Sequence, residues 1–96
     1  MKKIKVLLTT DSTKRGVFSC IVNEQDRANE NIEAEDIRMV VSWSADVKGI
    51  IGLASTGPSK HCKISPAVKK GLIKGVVGFF ELTDDAYKNF EKEPWA

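Results

Sequence analysis

The segment between residues 42 and 66 concentrates the residue types that bind anions. It reads SWSADVKGIIGLASTGPSKHCKISP and places glycines, hydroxyl groups and lysines around a short apolar run. Glycines expose backbone N–H groups, hydroxyls donate hydrogen bonds, and lysines carry positive charge. The segment therefore indicates contact with an anionic or strongly hydrogen-bonding partner.

Catalytic motifs are missing from the sequence. It contains no Gly-x-Ser-x-Gly elbow, no His-Glu-x-x-His pair and no phosphate loop, and Pro58 removes a backbone donor from the one stretch that loosely resembles such a loop. Cys62 lies between His61 and Lys63, a charged setting that can favour a nucleophilic thiolate. However, adjacent residues of an extended segment point to opposite faces, and we can assign no orienting acid to His61. We therefore expect a protein that is not an enzyme.

Metal and cofactor sites have no support either. The acidic residues group in one segment without calcium-loop spacing or histidine partners, and neither cysteine belongs to a Cys-x-x-Cys pair. We expect no metal and no cofactor. Cys20 and Cys62 are expected to be reduced thiols, with Cys20 acting as a small buried hydrophobe.

Size and composition favour one soluble domain. The chain has 96 residues, of which 42% are hydrophobic and 29% charged, so we expect a single domain spanning 1–96. No apolar run approaches the roughly 20 residues that span a bilayer, and the first ten residues have too short an apolar core for a signal peptide. These features predict a cytoplasmic protein with no membrane contact.

Charge is segregated along the chain. The net charge is +2, but the acids cluster early, and no Asp or Glu occurs from Val47 through Phe80. The acid-free part carries Lys48, Lys60, Lys63, Lys69, Lys70 and Lys74. These lysines indicate either a surface for an anionic ligand, nucleic acid or acidic protein, or a solvated surface whose lysines keep sheet edges unpaired.

Hydrophobic periodicity predicts strands followed by a helix. Apolar residues at a two-residue period predict strands at 3–9, 16–22, 37–43 and 48–54, and a β-branched, aromatic run predicts a last central strand at 72–82. The polar turn at 11–16 makes the first two strands a hairpin. Residues 23–35 have no sustained hydrophobic period, so we expect an exposed loop with room for a helical turn.

The clearest helix is predicted at 83–94. Thr83 is a good N-cap, acidic residues follow it, and Pro94 marks the stop. One side of this helix carries Ala86, Tyr87 and Phe90, and Trp95 is placed to cover the seam. The expected fold is α+β, a small antiparallel sheet of about five strands with one C-terminal helix packed on it.

Four segments form a distinctive combination: TTDSTKRGVF at 9–18, WSADVKG at 43–49, GLASTGPS at 52–59 and the closing Pro94-Trp95. Together they resemble a family of small uncharacterised proteins encoded by tailed phages and prophages. The resemblance covers nearly the whole chain apart from the acidic segment, but the family favours a second proline near residues 68–71, which is missing here. It implies a phage context and a non-structural accessory role, and brings no known activity.

Our first functional hypothesis is a phage counter-defence protein that captures a small anionic, nucleotide-like ligand. Cationic side chains would meet the charge, hydroxyls would add hydrogen bonds, and an aromatic ring would stack on a base. The candidate ligand-binding residues are Thr10, Ser12, Thr13, Lys14, Arg15, Phe18, Trp43, Ser55, Thr56, Gly57, Ser59 and Lys60. Core packing is the competing interpretation of both aromatic residues.

The ligand-binding hypothesis predicts two features of the structure. The polar turns at 10–15 and 55–60 must lie side by side to form one site. In addition, so small a domain would bury its ligand between protomers, which predicts a homo-oligomer. The alternatives are a protein that inhibits a host defence complex through its surface, as anti-CRISPR proteins do, and direct nucleic-acid binding, which added salt would weaken steeply.

Overall fold

Six antiparallel strands and two helices make up the part of the chain that the computed structural model describes, residues 2–11 and 16–92. The strands are β1 (Lys3–Thr10), β2 (Val17–Asn23), β3 (Ile32–Ser42), β4 (Lys63–Ile64), β5 (Val68–Ile73) and β6 (Val76–Glu81). The helices are α1 (Gly49–Thr56) and α2 (Asp84–Lys92), and two short 3-10 helices cover Glu24–Ala28 and Ala45–Val47. The α+β class predicted from the sequence is confirmed at this level.

The sheet is strongly curled. β1, β2 and β3 form an antiparallel meander, β5 pairs with the outer edge of β3, and β6 pairs with the outer edge of β1. Only Lys74 and Gly75 connect β5 to β6, and three Cα steps span at most about 11 Å. The two edges of the meander must therefore approach each other, and the backbone N–H of Val76 donates to the Glu30 carbonyl over 2.8 Å at this closure.

The two faces of the sheet carry separate cores. In β1, Val6 and Leu8 point into the concave face, whereas Leu7 points to the face that the helices cover. The concave core is completed by Cys20, Val22, Ile32, Ala34, Ile37, Ile73 and Val76. The helix-covered core contains Val17, Val40, Val47, Leu53, Ala54, Cys62, Ile64, Leu82, Ala86, Tyr87 and Phe90. The period of two in β1 thus divides its side chains between two cores.

The predicted C-terminal helix and its cap are confirmed. α2 begins after Thr83, whose Oγ1 accepts a hydrogen bond from the backbone N–H of Ala86 over 3.0 Å. Its apolar side buries Ala86, Tyr87 and Phe90 on the sheet. Pro94 and Trp95, the predicted stop and the predicted cover of the seam, lie outside the described residues.

The strand predicted at 48–54 is wrong, because this segment forms α1. The apolar residues Ile50, Leu53 and Ala54 also fit helical spacing, and a short apolar run does not distinguish the two structures by period. Tertiary contacts decide: Leu53 and Ala54 are buried in the helix-covered core. Gly52 is required there, since a Cβ atom at this position would lie 1.6 Å from the Val47 carbonyl oxygen.

Three other predicted boundaries change. The acidic segment at 23–35 contains a 3-10 helix at Glu24–Ala28, which fits the expected helical turn, but its end is the first part of β3 and not a loop. The last strand predicted at 72–82 is broken by Lys74 and Gly75 into β5 and β6, and the short β4 was not foreseen. The predicted hairpin of β1 and β2 is confirmed, with Leu7 opposite Ser19.

A polar cluster joins α2 to the middle of β3. Asp36 lies at a β-bulge with a φ of 51°, and its carboxylate accepts hydrogen bonds from the Tyr87 hydroxyl and, over 2.8 Å, from Arg38. Burial opposes ionisation of Asp36, but these hydrogen bonds and the Arg38 charge outweigh it and lower the Asp36 pKa. Burial and the bond to Asp36 raise the pKa of Tyr87. The cluster therefore favours an ionised Asp36 beneath the helix.

Both cysteines are buried free thiols, as expected for Cys20. Burial, followed by the nearby Asp36 charge, raises the pKa of Cys20 to about 12. Among residues 2–11 and 16–92, no helix is both long and apolar enough to cross a membrane.

Candidate functional site

A cavity of about 500 Å³ opens at the end of the sheet where β1 ends, β2 begins and β3 ends. We call it the Trp43 cavity. Its walls come from these three strands, from α1 and from the start of β6; the lining residues are Thr9, Thr10, Asp11, Gly16, Val17, Met39, Val40, Val41, Trp43, Ile50 and Val77. Its volume falls within the range of small-molecule sites in proteins.

The walls of the Trp43 cavity are apolar and open to solvent. Trp43 is 40% exposed, and Met39, Val41 and Val77 are exposed as well. The sequence pattern predicts one strand face carrying Ile37, Met39, Val41 and Trp43, but only Ile37 among them is buried. A half-exposed indole beside aliphatic side chains can receive a flat ring.

Thr10 is fixed at the rim by backbone pairing. Its N–H donates to the Gly16 carbonyl over 3.0 Å, and its Oγ1 accepts from the Gly16 N–H over 2.9 Å. The next N–H, that of Asp11, donates to the Gly75 carbonyl over 3.1 Å. Both ends of the connection between β1 and β2 are thereby held at the cavity.

Four of the candidate residues belong to that connection. Ser12, Thr13, Lys14 and Arg15 lie outside the described residues. Their flanking residues, Asp11 and Gly16, both line the Trp43 cavity. In the sequence, Lys14 and Arg15 directly precede Gly16.

Phe18 has a different environment from Trp43. It is half-buried against the concave core, and its ring lies so close to Gly16 that a Cβ atom there would approach it to 2.4 Å. It does border a smaller cavity of about 330 Å³ that also includes Thr10. The core-packing interpretation of Phe18 fits this position.

The residues at 55–57 belong to the contact between α1 and α2. The Ser55 carbonyl accepts from the Thr83 hydroxyl over 2.7 Å, and the Thr56 carbonyl accepts from the Asn89 side chain over 2.7 Å. Gly57 has a φ of 81°, and a Cβ atom there would lie 2.6 Å from the Ala86 carbonyl oxygen. Helix packing therefore explains Gly57, while the Thr56 hydroxyl donates to the Gly52 carbonyl within α1 over 3.0 Å.

The described part of the first polar turn, Thr10 and Asp11, lies apart from residues 55–57. α2 starts beside Lys5, as the Leu82 N–H bond to the Lys5 carbonyl shows, whereas Thr10 lies five residues further along β1. At about 3.3 Å per residue, that separation is roughly 16 Å. None of Ser55, Thr56, Gly57, Ser59 or Lys60 lines the Trp43 cavity. The described residues therefore form two separate polar regions.

Ser59 belongs to a small polar cluster near the second 3-10 helix. Its hydroxyl accepts from the His61 backbone N–H over 3.2 Å and lies 3.8 Å from the Cys62 Sγ. Hydrogen bonds from Ser44 and Ser59, together with the charge of His61, lower the pKa of Asp46. Lys60 is exposed beside this cluster.

Sequence reasoning missed several residues of these sites. Asp46 is the acid near His61 that the sequence did not reveal, because the two residues are brought together only by the fold. The apolar walls formed by Met39, Val41, Ile50 and Val77 were also missed. The sequence does show that these residues are apolar, but apolar residues in strands were assigned to the core and not to a cavity.

A comparison with known proteins finds one family. The model of a domain of unknown function, DUF6948, matches residues 3–90. No curated protein and no solved structure matches the chain. The match spans every strand and helix of the fold except the last two residues of α2.

Proposed function

We propose that the chain, which belongs to the DUF6948 family, is a non-enzymatic binding protein that holds a small anionic, nucleotide-like ligand in the Trp43 cavity. The observation that carries this proposal is that Thr10, the last residue of β1, and Trp43, which directly follows β3, line one cavity of about 500 Å³. The same cavity borders both ends of the connection that carries Lys14 and Arg15.

The apolar part of the cavity suits a planar ring. Trp43 offers a stacking surface, and stacking of a base on an aromatic side chain is worth about 1–3 kcal/mol. Met39 and Val41 extend this surface with aliphatic contacts that are partly exposed in the free protein. A bound base would cover them and remove apolar area from water.

The polar rim suits the remainder of such a ligand. Asp11 is exposed and accepts hydrogen bonds, as a sugar hydroxyl or a base amino group would require. A phosphate would instead be repelled by this carboxylate, and we propose that it is met by the cations of the connection, Lys14 and Arg15. The proposal therefore orients the ligand, with its base on Trp43 and its phosphate over the connection.

The proposed site is smaller than the one expected from the sequence. Thr10 and Trp43 remain in it, and Ser12, Thr13, Lys14 and Arg15 are kept as neighbours in sequence. Ser55, Thr56, Gly57, Ser59 and Lys60 are left out, because they line other regions. Phe18 is left out because it packs on the concave core.

A biological use follows from the sequence resemblance. A phage protein of this kind would withhold a host signalling nucleotide from a defence system in the host cytoplasm. The half-exposed walls of the cavity also favour a homo-oligomer, since a second protomer over Trp43 would enclose the ligand.

The test is calorimetric titration with AMP, ATP and adenosine. We expect ATP and AMP to bind more tightly than adenosine, because adenosine lacks the phosphate. Replacing Trp43 with alanine should weaken nucleotide binding about 5- to 150-fold, the equivalent of one stacking contact. Native mass spectrometry of the same samples would report the ligand mass and the number of subunits.

The matched control is Ile51→Ala. Ile51 is a large apolar residue that is 64% exposed but does not line the Trp43 cavity. This variant should bind nucleotides as the unaltered protein does. Absence of binding by all three probes, or equal losses in the two variants, would refute the proposal.

A second candidate function is an inhibitor that contacts a host protein through its surface. The observation that favours it is the exposure of Met39, Val41 and Val77 around Trp43, since exposed apolar side chains that lie together often mark an interface. It predicts that Trp43→Ala abolishes capture of a host protein while nucleotides have no measurable affinity for the chain.

A further inference from the structure

β5 is a sheet edge that the fold leaves open. It pairs with β3 from Ile73 opposite Ile32 to Val68 opposite Ile37, and no other strand of the described residues pairs with it. Every residue from Val68 to Leu72 is exposed. Alternate residues of an edge strand turn their backbone N–H and C=O groups away from the sheet, so β5 presents unpaired backbone groups.

The opposite edge of the sheet is different. β6 pairs with β1 on one side, and Arg27 contacts two of its side chains, since it lies over the Phe79 ring at 5.6 Å and pairs with Glu81 over 2.8 Å. A side chain from the first 3-10 helix therefore occupies the surface next to β6. Within residues 2–11 and 16–92, β5 has no comparable cover.

The open edge is basic. The segment from Ser59 through Phe80, which contains β4 and β5, has no acidic residue. Lys69 and Lys70 lie in β5, and Lys74 follows directly after it. The charge of Lys70 is partly offset by Glu35 on β3, whereas no ion pair of Lys69 or Lys74 occurs among the residues described.

The same edge carries two exposed apolar side chains. Val68 is 54% exposed and Leu72 is 53% exposed, with Lys70 between them on the same face of the strand. An added strand with apolar side chains on the matching face would cover both. Lysines that only keep the edge soluble and unpaired would explain its charge. They would not explain why Val68 and Leu72 are exposed beside them.

We infer that β5 is a docking edge for an extended acidic peptide segment of a partner protein, which would join the sheet as an additional strand. Backbone hydrogen bonds to β5 would supply the pairing, carboxylates would face Lys69 on one side of the strand, and apolar side chains would cover Val68 and Leu72 on the other. A second copy of β5 is disfavoured as the occupant, because like charges directly opposite each other in neighbouring strands are destabilising. This inference does not depend on the Trp43 cavity.

The experiment uses NMR of the full chain labelled with ¹⁵N. The probe is a capped hexapeptide of alternating Glu and Val, compared with a peptide of alternating Lys and Val and with the acidic peptide methylated on alternate backbone nitrogens. We expect only the first peptide to shift the amide signals of residues 68–73. The methylated peptide keeps the charge but cannot form the ladder of hydrogen bonds.

A charge reversal provides the second arm. Lys69→Glu should weaken binding of the acidic peptide at least tenfold, whereas Lys88→Glu, the same charge change on the exposed side of α2, should leave it unchanged. Binding of the methylated peptide with equal affinity, shifts confined to other residues, or no binding of the acidic peptide would overturn the inference. Self-association through β5 in sedimentation experiments would overturn it too.

Discussion

The side chains in the middle of β3 and those at its end have opposite polarity and different exposure to solvent. In the middle, Asp36 and Arg38 are polar, partly covered, and bonded to each other and to Tyr87 of α2. At the end, Met39, Val41 and the following Trp43 are apolar and about 40% exposed. A few residues of one strand thus separate a polar cluster under a helix from an apolar surface without a cover.

This contrast distinguishes structure from function. Partly buried charges persist when each has a partner, and the Asp36 cluster meets this condition. Exposed large apolar side chains that line one cavity have no such structural explanation. The covered region of β3 therefore serves the fold, and the open end is where we place the ligand.

The largest expected effect comes from replacing one large side chain with alanine in the helix-covered core and comparing the loss of stability with the same replacement at the open end of β3. Phe90 of α2 is 1% exposed in the helix-covered core, so Phe90→Ala should lower the free energy of unfolding by about 3–5 kcal/mol. Val41→Ala at the open end should change it by no more than about 0.5 kcal/mol. Urea denaturation followed by circular dichroism measures both; similar losses would show that the open end is part of the core.

The Asp36 cluster predicts a pH dependence. Because its pKa is lowered in the folded state, the ionised Asp36 stabilises the fold fully above the unfolded value of about 3.9, and this contribution is lost as the pH falls through the lower folded pKa. Asp36→Asn tolerates the positive φ but removes the charge, and should cost about 1 kcal/mol at pH 7.

The measurement is the difference in unfolding free energy between the unaltered protein and Asp36→Asn, followed from pH 7 to pH 2. It should stay constant down to about pH 5 and shrink below about pH 4. Other acids titrate in both proteins, so their contributions largely cancel. A difference that grows on acidification would show that Asp36 is not held ionised by Arg38 and Tyr87.

The smallest expected effect concerns Ser19, beside the covered part of β3. Ser19 pairs with Arg38 across the strands and is fully buried, and its hydroxyl finds no hydrogen-bond partner within the described part of the chain. Ser19→Ala should therefore be neutral or stabilise the fold by up to about 1 kcal/mol. A clear loss of stability in thermal denaturation would reveal a partner for this hydroxyl.

A helix or strand of this protein can be predicted from the sequence only when contacts between residues close in the chain stabilise it. β1, β2, their hairpin and α2 follow from local patterns, since a two-residue period and an N-cap act over a few residues. α1 does not, because its apolar residues fit both periods until Leu53 and Ala54 are buried in the helix-covered core. Among the residues that line the Trp43 cavity, Thr10 and Trp43 were candidates from the sequence, whereas their apolar neighbours were assigned to the core.

The residue types available to each surface of this protein can be read directly from the chain. The sequence places the hydroxyls and cations at 10–15, the acid-free lysine segment, and the apolar residues of each strand. Which of these segments come together depends on how the chain folds. The curl that joins β5 to β6 through two residues, the separation of 55–57 from Thr10, and the exposure of Trp43 all depend on contacts between distant segments, which local periodicity does not encode.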